Sequence, residues 1–279
     1  MIKKSVSIET RVFDLDWNRH VTSRTYERFS LEGRHSILAD LGYPIQKCIQ
    51  ENLILIPKFT EVRFLAQQFS GTVLRVDTVM EEYRNGLIFW DHKIYDPSEK
   101  LACELKLVTQ TQDGKGQTFL FTKTDLTEPE NLIHSVRQFT GSCRRLENPF
   151  RMLFSDMSCF WVYPAESVWK IFEEGRWLFF GDIVDTKKIK EHDTTSFFMG
   201  GKIQIFRLPE AGEKAVLYSW IESVDKIRFY FRQDLADLKG NVFASMRDEQ
   251  LFVSLSASRP RKAPQYFLET VGEYVEFLK

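Results

Sequence analysis

The sequence predicts an α+β fold that is built twice along one chain, each time as a long helix followed by a run of strands in an antiparallel sheet. The chain has 279 residues, which suits two domains of about 130 residues each. Its first half contains one long helical pattern and then several stretches with the period of two that marks half-buried strands. A short motif and two single residues of the first half recur in the second half at a nearly constant offset, which indicates a duplication.

The long helix of the first half is predicted over residues 24–41. This stretch contains no proline, its apolar residues Tyr26 and Phe29 follow helical spacing, and Gly42 stands where a C-terminal cap is expected. Gly33 in its middle costs roughly 1 kcal/mol relative to alanine. We therefore expect Gly33 to lie where the helix approaches another part of the backbone closely, as on a sheet.

Strand patterns surround this helix. The predicted strand segments of the first half are 5–13, 60–64, 73–82, 87–96 and 101–107. The third and fourth are joined through Asn85 and Gly86, a pair that supplies the positive φ of a tight hairpin. The sheet is therefore expected to be largely antiparallel.

The repeat is found from three anchors. They are Glu32-Gly33-Arg34 with Glu174-Gly175-Arg176, Gly71 with Gly212, and Ala102 with Ala244, at offsets of 141 or 142 positions. We predict a first domain at 1–125, a linker at 126–148 that contains a short helix starting near Pro129, and a second domain at 149–279. The last residues of the second domain are expected to form an amphipathic packing helix.

Composition excludes several classes of function. Lysine and arginine number 38 against 39 acidic residues, so there is no overall field to attract nucleic acid or an anionic membrane. The N-terminus lacks the apolar run of a secretory signal or membrane span, and the four cysteines form no C-x-x-C pair. We therefore expect a cytoplasmic protein without a membrane span, a metal site or a bound cofactor.

The candidate site lies between the first strand and the long helix. Asp14, Asp16, Asn18 and His20 place two carboxylates, an amide and an imidazole within seven residues. The free N–H groups and the dipole at a helix start stabilise a developing oxyanion, so acid-base groups there could support catalysis. The same residue types are also common caps and turn residues, which is the structural alternative.

The segment from Phe13 to Tyr26 resembles the signature of hot-dog thioesterases of the 4-hydroxybenzoyl-CoA thioesterase type. Within it, DLDWNRHV resembles the corresponding stretch of the acyl-ACP thioesterases, D-L-D-x-N-x-H-V-N-N, and those enzymes carry two hot-dog domains in one chain. The resemblance implies a tandem double hot-dog, each domain a long central helix wrapped by a curved antiparallel sheet. It also implies that Asp16, Asn18 and His20 are the catalytic residues.

This chain departs from the family pattern at four positions. Thr22 and Ser23 replace two asparagines, and Arg19 replaces the glycine that other hot-dog thioesterases place before the histidine. A glutamate that the acyl-ACP enzymes use on a later strand falls on Gln67, which cannot act as a base. The resemblance then implies that Asp16 is the base or the nucleophile.

The second half of the chain has a degenerate copy of the site. At the offset of 142 positions, Asp14 corresponds to Asp156. The three predicted catalytic residues correspond, in order, to Ser158, Phe160 and Val162. Because the second copy has lost the acid-base groups, catalysis is expected in the first domain alone. This differs from the plant acyl-ACP thioesterases, in which the motif lies in the C-terminal domain.

The resemblance implies an acyl thioesterase of fatty acid or lipid metabolism, acting on thioesters of acyl carrier protein or coenzyme A. N–H groups of Val21, Thr22 and Ser23 would hold the oxyanion, and the acyl chain would lie near Tyr26 and Phe29. The alternatives are a hot-dog hydroxyacyl-thioester dehydratase and a non-catalytic acyl-binding module. Two hot-dog domains in one chain make an internal pseudo-dimer, and further homodimerisation is left open.

Overall fold

The computed structural model describes residues 1–16 and 19–277. The residues group in space into two compact units. They are Met1–His134 with Ser155–Trp169, and Ser135–Phe154 with Lys170–Lys279. The domain boundaries at 125 and 148 remain predictions.

The first half of the chain forms one antiparallel sheet and one long helix. In chain order its elements are β1 (Ile2–Glu9), α1 (Ser23–Asp40), α2 (Ile45–Glu51), β2 (Ile54–Phe64), β3 (Val73–Glu82), β4 (Leu87–Tyr95) and β5 (Leu101–Gln112). The strands pair in the order β1-β3-β4-β5-β2, and each described pair is antiparallel. The predicted long helix is confirmed, and it spans one residue earlier than expected at both ends.

The second half repeats this arrangement. Its elements are β6 (Leu146–Arg151), α3 (Ala165–Phe179), α4 (Thr186–Glu191), β7 (Thr194–Ile205), β8 (Lys214–Val224), β9 (Arg228–Asp237), β10 (Val242–Ser254), β11 (Arg259–Pro260), α5 (Gln265–Val271) and β12 (Val275–Phe277). The first strand β6 pairs with β8, and β8, β9, β10 and β7 follow in that order, as β3, β4, β5 and β2 follow β1. The predicted α+β duplication is confirmed, with β11, α5 and β12 added to the second copy.

Backbone hydrogen bonds at the repeat anchors show how closely the copies agree. The N–H of Gly71 donates to the carbonyl of Thr10 at 2.9 Å, and the N–H of Gly212 donates to the carbonyl of Met152 at 2.8 Å. Both glycines have a left-handed φ, +74° and +78°, which glycine adopts without steric cost. This anchor of the repeat therefore marks the same turn in both halves.

The third anchor is displaced by one residue. In the first half the N–H groups of Leu65 and Ala66 both donate to the carbonyl of Ala102, and in the second half those of Phe206 and Arg207 both donate to the carbonyl of Phe243. Ala102 is therefore equivalent to Phe243, the residue before Ala244. The alanine identity is a coincidence next to a true structural repeat.

Gly33 allows α1 to press against its sheet, as predicted. A Cβ atom added at Gly33 would lie 2.0 Å from Oγ1 of Thr78 on β3. Gly175 allows the same approach of α3, because a Cβ atom there would lie 2.1 Å from the side-chain amide of Gln233 on β9. Real Cβ atoms do not approach other heavy atoms this closely, so both helices need glycine at the point of contact.

One local prediction is confirmed in part, and another is wrong. In the hairpin between β3 and β4 only Gly86 has a positive φ, +79°, and the turn closes through its N–H to the carbonyl of Tyr83 at 2.9 Å. Asn85 instead accepts a hydrogen bond from the N–H of Leu87 through its side chain. The predicted linker helix near Pro129 is absent from the described residues 121–145, where the chain after Pro129 forms a single turn, closed by the Leu132 N–H to the carbonyl of Pro129 at 3.1 Å.

The C-terminal packing helix is confirmed. Phe267 and Val271 of α5 are fully buried, and Tyr274 in the following turn joins them in the core. Phe267 contacts the rings of Phe229 and Phe252 at centroid distances of 5.3 and 4.9 Å. The apolar face of the tail therefore closes the core of the second copy.

We predict that Gly33→Ala destabilises the protein by about 1–3 kcal/mol, the usual cost of overpacking. Alanine favours a helix by up to about 1 kcal/mol over glycine, but here its methyl group would overlap Thr78. Chemical denaturation measures the free energy of unfolding. The control is Glu32→Ala at the exposed neighbouring position, which should change that free energy by less than about 0.5 kcal/mol. A stabilised Gly33→Ala protein would contradict the contact.

Candidate active site

A closed turn between β1 and α1 holds Asp16. Its N–H donates to the carbonyl of His20 at 2.8 Å, and its own carbonyl accepts the N–H of Arg19 at 2.9 Å. The carboxylate closes the turn from the other side, because Oδ1 accepts the N–H of His20 at 3.0 Å. These three bonds fix a partly buried carboxylate just before the first turn of the helix.

The turn requires a left-handed residue at Arg19, whose φ is +67°. This conformation costs an L-residue roughly 1–2 kcal/mol, whereas glycine adopts it freely. It explains why glycine suits this position in the family pattern. Trp161 occupies the matching position of the second copy, and its φ is +60°.

Asp14 and Asp16 have different roles. Asp14 is 3% exposed, pairs with the guanidinium of Arg28, and accepts the N–H of Arg11 at 2.7 Å. Its carbonyl also accepts the N–H of Thr22 at 2.8 Å, so Asp14 ties the strand end to the helix start. Asp16, in contrast, belongs to no ion pair within the described part of the chain, and its carboxylate is the one left for chemistry.

His20 is joined to Asp16 through the backbone rather than through its ring. The imidazole packs edge-on against the ring of Phe69, with centroids 5.3 Å apart. The third predicted catalytic residue, Asn18, lies outside the described residues. The structure therefore brings two of the three predicted catalytic residues into one turn.

The loop after β2 supplies contacts that the sequence did not reveal. The carbonyl of Gln68 accepts the N–H of Val21 at 2.9 Å, and the carbonyl of Phe69 accepts the hydroxyl of Thr10 at 2.6 Å. Gln68 is buried, whereas the side chain of Gln67, the residue predicted for this site, is exposed. No sequence pattern identifies Gln68 or Phe69, since they meet the turn only in the folded chain.

Of the three N–H groups predicted to bind the oxyanion, two already donate hydrogen bonds within the protein. The N–H of Val21 donates to Gln68 and the N–H of Thr22 donates to Asp14, so these two roles are corrected. Ser23 opens α1, and the first N–H groups of a helix have no partner within it. Among the three predicted donors, Ser23 is therefore the one that can serve an oxyanion.

Tyr26 and Phe29 are packed in the core between helix and sheet. Both are buried, their ring centroids lie 6.1 Å apart, and Tyr26 also contacts the ring of Phe64 at 5.1 Å. Burial raises the pKa of the Tyr26 hydroxyl, which keeps it protonated. Their predicted role is to line the acyl chain, and it stays a prediction.

The second copy keeps the turn and loses the carboxylate. The N–H of Ser158 donates to the carbonyl of Val162 at 2.9 Å, and the N–H of Trp161 donates to the carbonyl of Ser158 at 3.1 Å. The Ser158 hydroxyl donates to the same Val162 carbonyl at 3.0 Å. The two turns therefore share their backbone and differ in their chemistry.

Two further observations concern the described residues alone. They contain no group of three or more histidine, cysteine, aspartate or glutamate residues arranged to hold a metal ion. No helix among them combines the length and the apolar character that crossing a bilayer requires.

Solved structures with this architecture cover nearly the whole chain. A protein from Lactobacillus plantarum, named provisionally as an oleoyl thioesterase, has a TM-score of 0.73 at 9% identity and covers 94% of this chain and 98% of its own. The 12:0-ACP thioesterase of Umbellularia californica has a TM-score of 0.67 at 10% identity, over 93% and 94%. An acyl-ACP thioesterase of Bacteroides thetaiotaomicron VPI-5482 has a TM-score of 0.64 at 12% identity, over 90% and 97%. No family model and no curated protein matches the sequence.

The chain has the tandem hot-dog fold. Identities this low establish the fold and do not carry the activity of those proteins to this one. The site in this tandem hot-dog chain must therefore be judged from its own residues, of which Asp16 and His20 are present only in the first copy.

We predict that Arg19→Gly raises the free energy of unfolding by up to about 1 kcal/mol, because it removes the left-handed strain at φ +67°. The matched control is Arg11→Gly, at an exposed residue with φ −116°, where glycine relieves no strain and should lower stability by about 0.5–1 kcal/mol. Thermal and chemical denaturation measure both variants. Equal losses in the two proteins would show that the turn costs nothing at Arg19.

Proposed function

We propose that the chain is an acyl thioesterase whose active site is the turn before α1. The observation that carries the proposal is the Asp16 carboxylate, which is held by the His20 N–H, lies outside the ion pairs of the described residues, and precedes the helix start. The equivalent position of the second copy, Ser158, keeps the same backbone without an acid-base group. The tandem hot-dog fold, shared with proteins named as thioesterases, supports it.

In the proposed reaction, water attacks the thioester carbonyl and Asp16 takes the proton that this water loses. The tetrahedral oxyanion forms near the Ser23 N–H, where the positive end of the α1 dipole stabilises it. Collapse of the intermediate breaks the carbon–sulfur bond, and the proton passes to the leaving thiolate. Direct attack by Asp16 on the carbonyl, followed by hydrolysis, uses the same geometry. His20 and Asn18 are proposed to orient the reacting groups.

The proposed substrates are thioesters of acyl carrier protein or coenzyme A. In both carriers the thioester is attached through a pantetheine arm that ends in a phosphate. Arg11 and Arg19 are exposed beside the turn, and Arg24 is partly exposed in the first turn of α1. These three cations suit an anionic carrier, since local positive charge raises the rate of encounter. A role in lipid metabolism within the cytoplasm is part of the same proposal.

We predict that Asp16→Asn lowers kcat by at least ~10²-fold, the lower range for losing a positioned acid-base group. The amide keeps the shape and volume of the carboxylate and still accepts the His20 N–H, so the fold should remain intact. The measurement is release of free thiol from a panel of acyl thioesters of different lengths on both carriers, with circular dichroism to confirm folding.

The matched control is Asp156→Asn, at the position equivalent to Asp14 in the second copy, which should leave turnover close to that of the parent. Equal losses in both variants, or an unaffected Asp16→Asn protein, would place the active site elsewhere. Loss of the enoyl chromophore from a crotonyl thioester without thiol release would indicate a dehydratase. Binding of acyl thioesters without any turnover would indicate an acyl-binding module.

A further inference from the structure

A cluster of charged and polar side chains is buried beneath α1. Glu27 and Arg34 on the helix are 2% and 3% exposed, and His92 on β4 is fully buried. Arg34 donates to Oε1 of Glu27 at 2.6 Å, and Nδ1 of His92 is hydrogen-bonded to the hydroxyl of Thr78 at 2.9 Å. Charged residues are rarely so buried unless they are paired.

The hydrogen bonding of this cluster is incomplete. Three of its buried side-chain atoms have no partner in the described structure, namely Oε2 of Glu27, Nη1 of Arg34 and Nε2 of His92, and the same holds for Nδ1 of His35, the residue after Arg34 on α1. Folded proteins satisfy nearly all buried polar atoms, because an unpaired one forfeits its hydrogen bonds to water. Several unpaired atoms in one region therefore indicate a polar group that completes them.

Burial and the charge of Arg34 act in the same direction on the pKa values of both histidines. Burial lowers the pKa of His35 to about 4, and the charge of Arg34 lowers it in the same direction. Burial also holds the pKa of His92 well below its usual value, again with a contribution from Arg34. Both imidazoles are therefore neutral at neutral pH, and each can donate or accept one hydrogen bond.

The second copy serves as an internal comparison. Ser219 and Gln233 occupy the positions of Thr78 and His92, and both ends of the Gln233 amide have partners. Its nitrogen donates to the carbonyl of Phe172 at 2.8 Å, and its oxygen accepts from the Arg176 N–H and the Ser219 hydroxyl. The strand pair Ser219 and Gln233 is thus saturated in the second copy, whereas Nε2 of His92 in the first copy has no partner within the described part of the chain. On α3 itself, Oε2 of Glu173 is also without a partner among the described residues.

The cluster lies along the same helix as the proposed catalytic turn. With a rise of 1.5 Å per residue, Glu27 lies about 6 Å and Arg34 about 17 Å along the axis from Ser23. An acyl chain that extended from a thioester at the helix start in the direction of the α1 axis would pass Glu27 first and Arg34 last. A polar substituent in the middle of such a chain would meet both.

We propose that this cluster binds a hydroxyl group carried in the middle of the acyl chain, so that the enzyme prefers hydroxyacyl thioesters to unsubstituted ones. A hydroxyl fits because it donates one hydrogen bond, here to Oε2 of Glu27, and accepts another, here from Nη1 of Arg34. This inference rests on the proposed thioesterase function and specifies its substrate class.

The test compares thiol release from dodecanoyl and hydroxydodecanoyl thioesters of coenzyme A and pantetheine, with the hydroxyl moved along the chain. The expected result is a kcat/KM at least about tenfold higher for one mid-chain hydroxyl position, since a site built for a hydroxyl discriminates against its absence. Equal values for all positions would overturn the inference while leaving the thioesterase proposal intact.

A paired substitution tests the residues. Glu27→Leu with Arg34→Met removes both charges together and leaves neither unpaired, which cores often tolerate. This double variant should bring the ratio of kcat/KM for the preferred hydroxydodecanoyl thioester to kcat/KM for the dodecanoyl thioester close to one. The matched control is Arg176→Met with Asp248→Leu, which removes the buried 2.8 Å ion pair of the second copy and should leave the ratio unchanged. If the protein with Glu27→Leu and Arg34→Met does not fold, the ratio of kcat/KM values measured in the parent protein still tests the preference for a hydroxyl group.

If no thioester is hydrolysed, the thioesterase proposal fails and binding decides the inference separately. Calorimetric titration of the parent protein with dodecanoic and hydroxydodecanoic acids should then show tighter binding of a mid-chain hydroxy acid. Equal affinity for the two acids, with water molecules alone bridging the four atoms in a crystal structure, would overturn it.

Discussion

The close contact of Gly33 with Thr78 determines where α1 lies on its sheet, and the site depends on that position. The helix can approach only because glycine has no Cβ atom at the point where one would lie 2.0 Å from the Thr78 hydroxyl. Thr78 is held in turn by His92 on the neighbouring strand. Since α1 is rigid, this contact in its middle also places its first residues, the turn that holds Asp16, and the buried face with Glu27 and Arg34.

The duplication separates what the fold needs from what the chemistry needs. Both copies keep a helix glycine over a polar strand pair, a left-handed residue in the turn before the helix, and the backbone hydrogen bonds that close that turn. These features are structural, because the second copy retains them without a carboxylate at Ser158. What the first copy adds is Asp16, His20 and the buried Glu27 carboxylate, whose position in the second copy is Trp169, and these additions are the ones that call for a functional explanation.

The buried charges of the two copies are arranged differently. Arg34 pairs with Glu27 within its own helix, whereas Arg176, at the equivalent position, pairs with Asp248 on a strand. A pair that joins helix to sheet ties two elements together, but a pair within one helix adds no such tie. Burying the Glu27 carboxylate raises its pKa, and the neighbouring Arg34 only partly offsets this effect. The ion pair therefore adds no contact between helix and sheet that would offset the free-energy cost of burying Glu27 and Arg34.

The sequence by itself determined the long helix, the antiparallel strands, the duplication and the position of the candidate turn. These follow from local periodicity, from glycines that only certain backbone conformations require, and from a motif confined to residues 13–42. The same local reasoning missed the helix α2 and predicted a helix near Pro129, because local helix preferences in short segments are weak. It also paired Ala102 with Ala244, because the two alanines are identical by chance.

Only the tertiary structure decided which of the clustered polar residues are available for chemistry. Composition and spacing alone do not separate Asp14 from Asp16, and in the folded chain the ion pair with Arg28 engages Asp14 and leaves Asp16. The N–H groups of Val21 and Thr22 are committed to Gln68 and Asp14. The unsatisfied atoms beneath α1 belong to residues on a helix and a distant strand. Hydrogen-bond partners far apart in the chain leave no local pattern, so their presence or absence becomes visible only once the chain has folded.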